Sequence, residues 1–490
     1  MPEFAMKKIL YYNWVPFDDD ENRGGGVSIY QKNLIEKILE DGEYIPYFIS
    51  SGVSYSFFHQ QPFIRKTKNI YKERCHTFEI VNSPIMSPGH CSFQDTRTYL
   101  TDRVLFEMLC RFIKKEGPFD VIHFNNFEGL SLNVLRLKEK FPETRIIYSL
   151  HNYYSFCPQV NLWKKESENC KNYHGGADCL NCLTEDIDRE YVLFLDRLAW
   201  TLKRMGFHSK TIIFKLAFKK VWFLYRLYHY YMRARNLNPA GIKQLSYSAH
   251  DYQEYRRKNI EYVNRYVDAV LAVSERVSQI AIHMGLSPQK VFVSYIGTKF
   301  AENVLTASSV KRDSSILSLI FMGYMRRDKG FYFLLKALKT LSPEITGQMR
   351  IVVAARFSDD AAMAMLKKIS GRFYEVKLYD GYTHAMLPQI LAEADLGIIP
   401  VLWEDNLPQV AIEMTAHHVP ILCSDLGGAN ELCRDERFRF KGGSIPDLTQ
   451  KIEQIFYNRT LLEEFWTGFQ GLQTMERHMD ELNWFYHGHE

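Results

Sequence analysis

The sequence predicts an α/β protein of two doubly wound domains. Three observations carry that expectation. The chain has 490 residues, 46% of them hydrophobic, more than one ordinary core holds. Short apolar runs alternate with helical periodicity as far as Gly297. After a polar break the same alternation begins again and runs to residue 465.

Lys7–Trp14 (KKILYYNW) reads as the first buried strand. The polar loop FDDDENRGGG follows, then a helix expected from about Ser28 with apolar Ile29, Leu34, Ile35, Ile38 and Leu39. Gly24, Gly25 and Gly26 therefore join a strand to a helix. Glycines there let backbone amides approach a ligand, and a helix N-terminus favours anionic groups. Further strands are expected at Phe119–Asn126, Arg145–Asn152, Val267–Ser274 and in KVFVSYIG, giving a first domain over 6–297. A helical insertion is expected within it at about 185–260. Thr298–Ser315, with its SSVKRDSS stretch, reads as the linker. SLIFMGYM, RIVVAA, VKLYDGY, LGIIPV and PILCS then form a second domain over 312–465. Residues 466–490, rich in Trp and Phe, are expected to form helices returning toward the first domain.

Composition narrows the class. A net charge of +4 is small for this length and does not point to nucleic acid. There is no apolar run long enough for a transmembrane helix, and the N-terminus lacks signal-peptide design. Met1–Ala5 (MPEFA) reads as a cloning remnant ahead of a natural start at Met6. Of nine cysteines, Cys75, Cys91, Cys110, Cys423 and Cys433 are scattered, as expected of reduced thiols in a cytoplasmic protein.

The most informative stretch is Pro400–Glu431, PVLWEDNLPQVAIEMTAHHVPILCSDLGGANE. Asp405 falls in the loop after an apolar strand, where parallel sheets hold ligands. Glu413 falls in the first turns of a helix that Pro408 can start. Two such acids are placed to accept hydrogen bonds from sugar or ribose hydroxyls. Asn406 and Leu407 lie between them, and Gly427-Gly428 follows. Upstream, FMGYMRRDKGFYFLLKAL puts Gly323, Arg326, Arg327, Lys329 and Gly330 in a strand-to-helix loop. Cations beside a helix N-terminus suit a pyrophosphate and can stabilise it as a leaving group.

These words resemble the E-x7-E signature of retaining glycosyltransferases of the GT-B fold, sequence family 4. The resemblance covers nearly the whole chain outside the helical insertion. It implies two Rossmann-like domains facing a cleft and a nucleotide-diphosphate sugar donor, with UDP favoured. Glu413 would hold the ribose, and Asp405, or Glu404 in a shifted register, the sugar. Lys329 with Arg326 or Arg327 would meet the diphosphate, so no catalytic metal is expected. Gly24–Gly26 and His151, where the chain reads LHN and family members commonly read LHD, would face the donor or the acceptor from the first domain. Gly381, Tyr382 and the amides at Gly427-Gly428 would line the donor pocket. Two other readings stay open: a GT-B epimerase or phosphorylase, and an inactive membrane-associated scaffold.

Two features lie outside that signature. Cys157, Cys170, Cys179 and Cys182 have the spacing C-x12-C-x8-C-x2-C, with His174 among them. That set suits a structural zinc, a disulfide or plain buried thiols. From Arg197 to Arg235 there are ten Lys or Arg and no Asp or Glu, interleaved with aromatic and aliphatic residues. Such a stretch fits an anionic membrane surface, nucleic acid, or a packed helix with snorkelling cations. With a glycan or lipid-linked acceptor, the membrane reading places the protein peripherally on the inner face of a membrane.

Overall fold

The computed structural model describes residues 6–21, 23–182, 188–234, 247–301 and 315–488. In the first half the strands are β1 (Lys7–Tyr12), β2 (Tyr44–Ser54), β3 (Phe63–Thr67), β4 (His76–Val81), β5 (Val121–Phe124) and β6 (Arg145–Leu150). A small hairpin, β7 (Trp163–Lys164) and β8 (Glu168–Asn169), follows, then β9 (Ala269–Ala272) and β10 (Val291–Val293). Eight of these pair in the order β10-β9-β6-β5-β1-β2-β4-β3, all parallel except β3 against β4. Both faces of a parallel sheet are covered, so its strands are continuous apolar runs rather than alternating ones. Ile9 to Tyr12, Ile146 to Leu150 and Ala269 to Ala272 show this, all buried.

The second half forms a separate sheet: β11 (Leu317–Tyr324), β12 (Met349–Arg356), β13 (Glu375–Asp380), β14 (Leu396–Ile399), β15 (Ile421–Ser424) and β16 (Arg439–Phe440). The order is β13-β12-β11-β14-β15-β16, parallel throughout. The winding direction reverses between β11 and β14. Loops leaving those two carboxyl ends diverge to opposite faces and open a crevice, the usual ligand position in such sheets. The Lys329 loop follows β11 and the Asp405 loop follows β14.

Several local expectations need correction. The helix expected from Ser28 runs Gly25–Asp41, so Gly25 and Gly26 are its first residues rather than a free loop. Strands β2, β3 and β4 had no counterpart in the sequence reading. The insertion is also shorter than expected. The helix Ala249–Tyr266 buries Tyr252, Tyr255, Asn259 and Val263 and belongs to the first domain's body. What projects is the pair Arg189–Arg204 and Ile212–Ala234. Most of the expected linker, residues 302–314, lies outside the described residues. The terminal helix Met475–Tyr486 packs on the helix Gly25–Asp41 and on β6.

Candidate active site

The site is assembled by close backbone packing between the loops after β11, β14 and β15. Gly330 has φ +74°, and a Cβ there would lie 1.6 Å from the Pro400 carbonyl oxygen. Leu402 N donates to Asp328 O at 2.9 Å. These contacts lay the Lys329 loop directly on the Asp405 loop. Lys329 Nζ then donates to Asp405 Oδ2 at 2.5 Å and sits 5.3 Å from the centre of the Trp403 ring. The helix Phe331–Thr340 begins two residues later, so its N-terminal end lies beside Lys329.

Arg326 turns back on its own loop, pairing with buried Asp328 through Nε at 3.0 Å and through Nη2. Arg327 is exposed, 5.9 Å from the Tyr332 ring centre. Of the three cations read from the sequence, Lys329 is therefore the one locked against the acidic motif.

Glu404 and Asp405 have separate surroundings. Glu404 accepts from Arg276 Nε at 2.8 Å and from Arg276 Nη2, and it also accepts from the Gly427 amide at 3.0 Å. Arg276 belongs to the first domain, so Glu404 joins the two domains. Asp405 faces Lys329. The Gly427 and Gly428 amides, expected to line the donor pocket, are each already bonded within the protein. Gly427 N donates to Glu404 and Gly428 N donates to Asp405 O at 2.9 Å. Those glycines serve close approach. At Gly427, φ is +73° and a Cβ would lie 2.1 Å from Asp405 O.

Glu413, in the helix Gln409–Ala416, is 2% exposed. Its Oε1 lies 3.1 Å from His384 Nε2, and Oε2 is buried without a partner. The hydrogen bond to Glu413 raises the His384 pKa above its ordinary value. Tyr382, beside Glu413, has its hydroxyl pKa raised by burial and then by that carboxylate. Gly381, at φ +70°, has open space where a Cβ would stand. Leu407 is half-buried against the core. Gly323, at φ +127°, is likewise open. Asn406 Oδ1 and Trp403 Nε1 are also buried without partners. Three orphaned polar atoms on one strand-loop-helix unit fit a polar ligand, since such atoms cost free energy when nothing bonds them.

The first domain meets this wall at several points. Asn406 Nδ2 donates to Leu150 O at 3.2 Å, and Ser274 Oγ donates to Asn406 O at 2.9 Å. A Cβ on Gly25 would stand 3.7 Å from the Tyr324 hydroxyl, and one on Gly26 would stand 2.9 Å from Gln409 Cβ. The Gly24–Gly26 segment thus lies against the second domain's side of the crevice. His151 follows β6, with Nε2 3.2 Å from Asn125 Oδ1 and its ring 5.2 Å from that of Tyr30. Burial holds its pKa down at about 3, so the ring is a neutral imidazole near pH 7.

Sequence reasoning missed Arg276, Tyr153, Glu128 and His478. Arg276 carries no motif, but it lies two residues past Ser274, at the carboxyl end of a predicted strand. Tyr153 has a buried hydroxyl without a partner, and burial and then the charges of Glu404 and Asp405 raise its pKa. Glu128 accepts from Asn152 Nδ2 at 2.6 Å and from Gly89 N, and burial pushes it up to about 7. It puts a carboxyl group beside Asn152 from a different loop.

Cys157, Cys170, Cys179 and Cys182 line one small cavity together with Lys164 and Arg256. None forms a disulfide, and burial raises each thiol's pKa. The donor set fits zinc, with two nearby cations to offset four thiolates. No three of the sulfurs lie within 4.8 Å of one another, so closing a tetrahedron requires side-chain rotation. His174 is not part of the cavity lining; it is exposed and bonds Asp178 Oδ2 at 2.8 Å.

Residues 317–458 match the family model of group 1 glycosyl transferases. No curated protein sequence matches the chain. Solved structures match over nearly its whole length. The Anabaena protein HepE, in complex with UDP and glucose, has 13% identity and a TM-score of 0.54, covering 99% of this chain and 100% of its own. This is a GT-B fold. Sucrose-phosphate synthase from Thermosynechococcus elongatus shares it at 14% identity and TM-score 0.58, covering 98% of each chain. So does α,α-trehalose 6-phosphate synthase from Burkholderia multivorans, at 10% identity and TM-score 0.57, covering 99% and 98%. The matched residues take in most of the second domain, including its crevice at the β11–β14 switch point.

Proposed function

We propose that this protein is a retaining glycosyltransferase that moves a sugar from a nucleotide-diphosphate sugar to a hydroxyl of a glycan or lipid-linked acceptor. The observation that carries this reading is the contact of Lys329 with Asp405 at the start of the helix Phe331–Thr340. A cation, a carboxylate and a helix N-terminus meet at one point. The helix N-terminus and Lys329 suit the diphosphate, and Asp405 suits the hydroxyls of the attached sugar. Glu413, with Oε2 open, suits the ribose. UDP is the favoured donor base because HepE was solved with UDP-glucose.

In the reaction, the acceptor hydroxyl attacks the anomeric carbon from the face that the diphosphate leaves. The new carbon–oxygen bond forms as the bond to phosphate breaks, and the acceptor proton passes to the departing phosphate oxygen. Lys329 stabilises the charge that develops there. Neutral His151 contributes hydrogen bonding rather than charge at the acceptor side.

The test is a donor screen. UDP at about a hundred times its dissociation constant should stabilise the fold by about 2.7 kcal/mol. Transfer from the matching sugar nucleotide should need an acceptor and should be lost in Lys329→Ala and Glu413→Ala. Donor converted without acceptor would favour an epimerase. Nucleotide bound with no turnover of any donor would favour a scaffold.

A further inference from the structure

The helix Ile212–Ala234 presents its apolar side outward. Ile212, Ile213, Leu216, Phe223, Leu224 and Leu227 are each at least 50% exposed. At 3.6 residues per turn these six fall within an arc of about 120°. The opposite flank is the packed one. Phe214 is buried and stacks on Phe218 at 4.5 Å, and Tyr225 stacks on Tyr191 of the neighbouring helix at 3.7 Å. A snorkelling arrangement requires apolar side chains inward and cations outward. Here the long apolar row faces away from the protein, which sets that alternative aside.

Charge completes the pattern. Lys215, Lys219 and Arg226 follow one edge of the apolar arc, and Lys220 lies within it, all exposed. Arg226 sits 4.6 Å over the Trp222 ring. The helix Ile212–Ala234 contains no acidic residue. An apolar stripe this size on a water-facing helix marks an interaction surface. A row of cations along its edge selects an anionic, laterally extended partner whose interior accepts aliphatic side chains.

We infer that this helix lies in the interfacial plane of an anionic lipid bilayer. The pattern is that of a surface helix: among the described residues, no helix is long and apolar enough to cross a membrane. The helix pair is tied to the loop that leads into Gly24–Gly26. Lys203 Nζ pairs with Asp20 at 2.7 Å and with Glu21, and Ser209 N donates to Asp20 at 2.6 Å. Bilayer contact would therefore be passed to the acceptor side of the cleft through one short segment. This deepens the proposed function by naming the surface where a lipid-linked acceptor is met, but its test does not depend on the reaction.

The experiment is flotation of the full chain with phosphatidylcholine vesicles, with and without phosphatidylglycerol, at low and high salt. The expected result is flotation with the anionic vesicles, weakened by salt and absent with neutral ones. The variant Leu216→Ser/Phe223→Ser/Leu227→Ser changes only exposed side chains. It should keep its melting temperature and nucleotide binding while losing vesicle binding by about tenfold or more. Wild type that stays in the aqueous fraction with anionic vesicles at low salt would overturn the inference, as would equal flotation of the variant. A dimer that becomes monomeric in the variant, without vesicle binding, would identify a second copy as the occupant instead. Loss of transfer with intact flotation would count against the proposed reaction alone.

Discussion

At the scale of single residues, the question left by the sequence is which of two adjacent acids meets the sugar. Glu404 and Asp405 cannot be ranked by spacing, since a one-residue shift of register exchanges them. Their partners separate them. Arg276, which comes from the other domain, takes Glu404, and Lys329 takes Asp405. Nothing in the local sequence announces the Arg276 contact, so this half of the site was legible only once the chain had folded. The residues that were legible, Lys329, Asp405 and Glu413, sit in short words whose spacing is fixed by a single loop or helix turn. Asp405→Asn is expected to lower kcat by about a hundredfold or more while UDP affinity stays within a few-fold, because in the proposed reaction the carboxylate meets the sugar. Glu404→Gln should behave differently, lowering the melting temperature with a much smaller loss of kcat, because it loosens the domain contact. Steady-state kinetics with calorimetric UDP binding on both variants decides the assignment. The reverse pattern would move the sugar contact to Glu404.

At the scale of elements, buried parallel strands were read correctly where they stood alone between polar stretches, as β1, β6, β9 and β14 do. β2 was missed although YIPYFISSGVS is a long buried run. Its apolar character is diluted by serines, and its partners β3 and β4 lie in polar, aromatic-rich sequence without clean alternation. The insertion was overextended because helical periodicity continues through Ala249–Tyr266. Periodicity does not say which face meets a core. The cysteine segment is the other element-scale feature. Between Cys157 and Cys182 the backbone is irregular, with Val160, Leu162, Lys165, Glu166 and His174 at positive φ, and its only strands are the pair β7 and β8. Yet it reaches the loop that carries Asp405, where Asn169 Nδ2 donates to Leu402 O at 3.2 Å. A structural zinc would hold such a segment, and zinc closed in by four thiolates leaves no open position for substrate. Protein produced with zinc present should carry one equivalent by elemental analysis, and chelation should lower its melting temperature. Metal-free protein whose four thiols all react with a thiol reagent under native conditions would exclude the site. A disulfide seen by mass spectrometry would exclude it as well.

At the scale of the whole molecule, two separate sheets are held as one body by a continuous buried cluster and by contacts that are distant in sequence. Besides the Arg276–Glu404 pair and the Asn406 bonds, the terminal helix Met475–Tyr486 follows the second domain yet packs on the first. Tyr486 Oη lies 2.7 Å from His123 Nδ1 and 2.9 Å from Tyr11 Oη, and His478 Nε2 lies 2.7 Å from Tyr30 Oη. His478 is 2% exposed, and burial holds its pKa down at about 4. The sign of its linkage follows from that depression. The unfolded chain takes up a proton near 6.5 while the folded protein does not until about 4. Stability from the neutral ring is therefore present above 6.5 and lost as pH falls below it. Between pH 7 and 5.5 this one histidine should cost about 1 kcal/mol. Glu128 and Asp196, both pushed up to about 7 by burial, act in the opposite direction, since the folded state holds their protons more tightly. The wild-type curve alone thus mixes opposing slopes. The informative quantity is its difference from His478→Gln, whose amide can still bond Tyr30 but does not titrate. Urea unfolding of both proteins at pH 7 and 5.5 should show wild type losing about 1 kcal/mol more than the variant. Equal changes in the two would mean that the terminal helix does not hold His478 buried and neutral against the first domain.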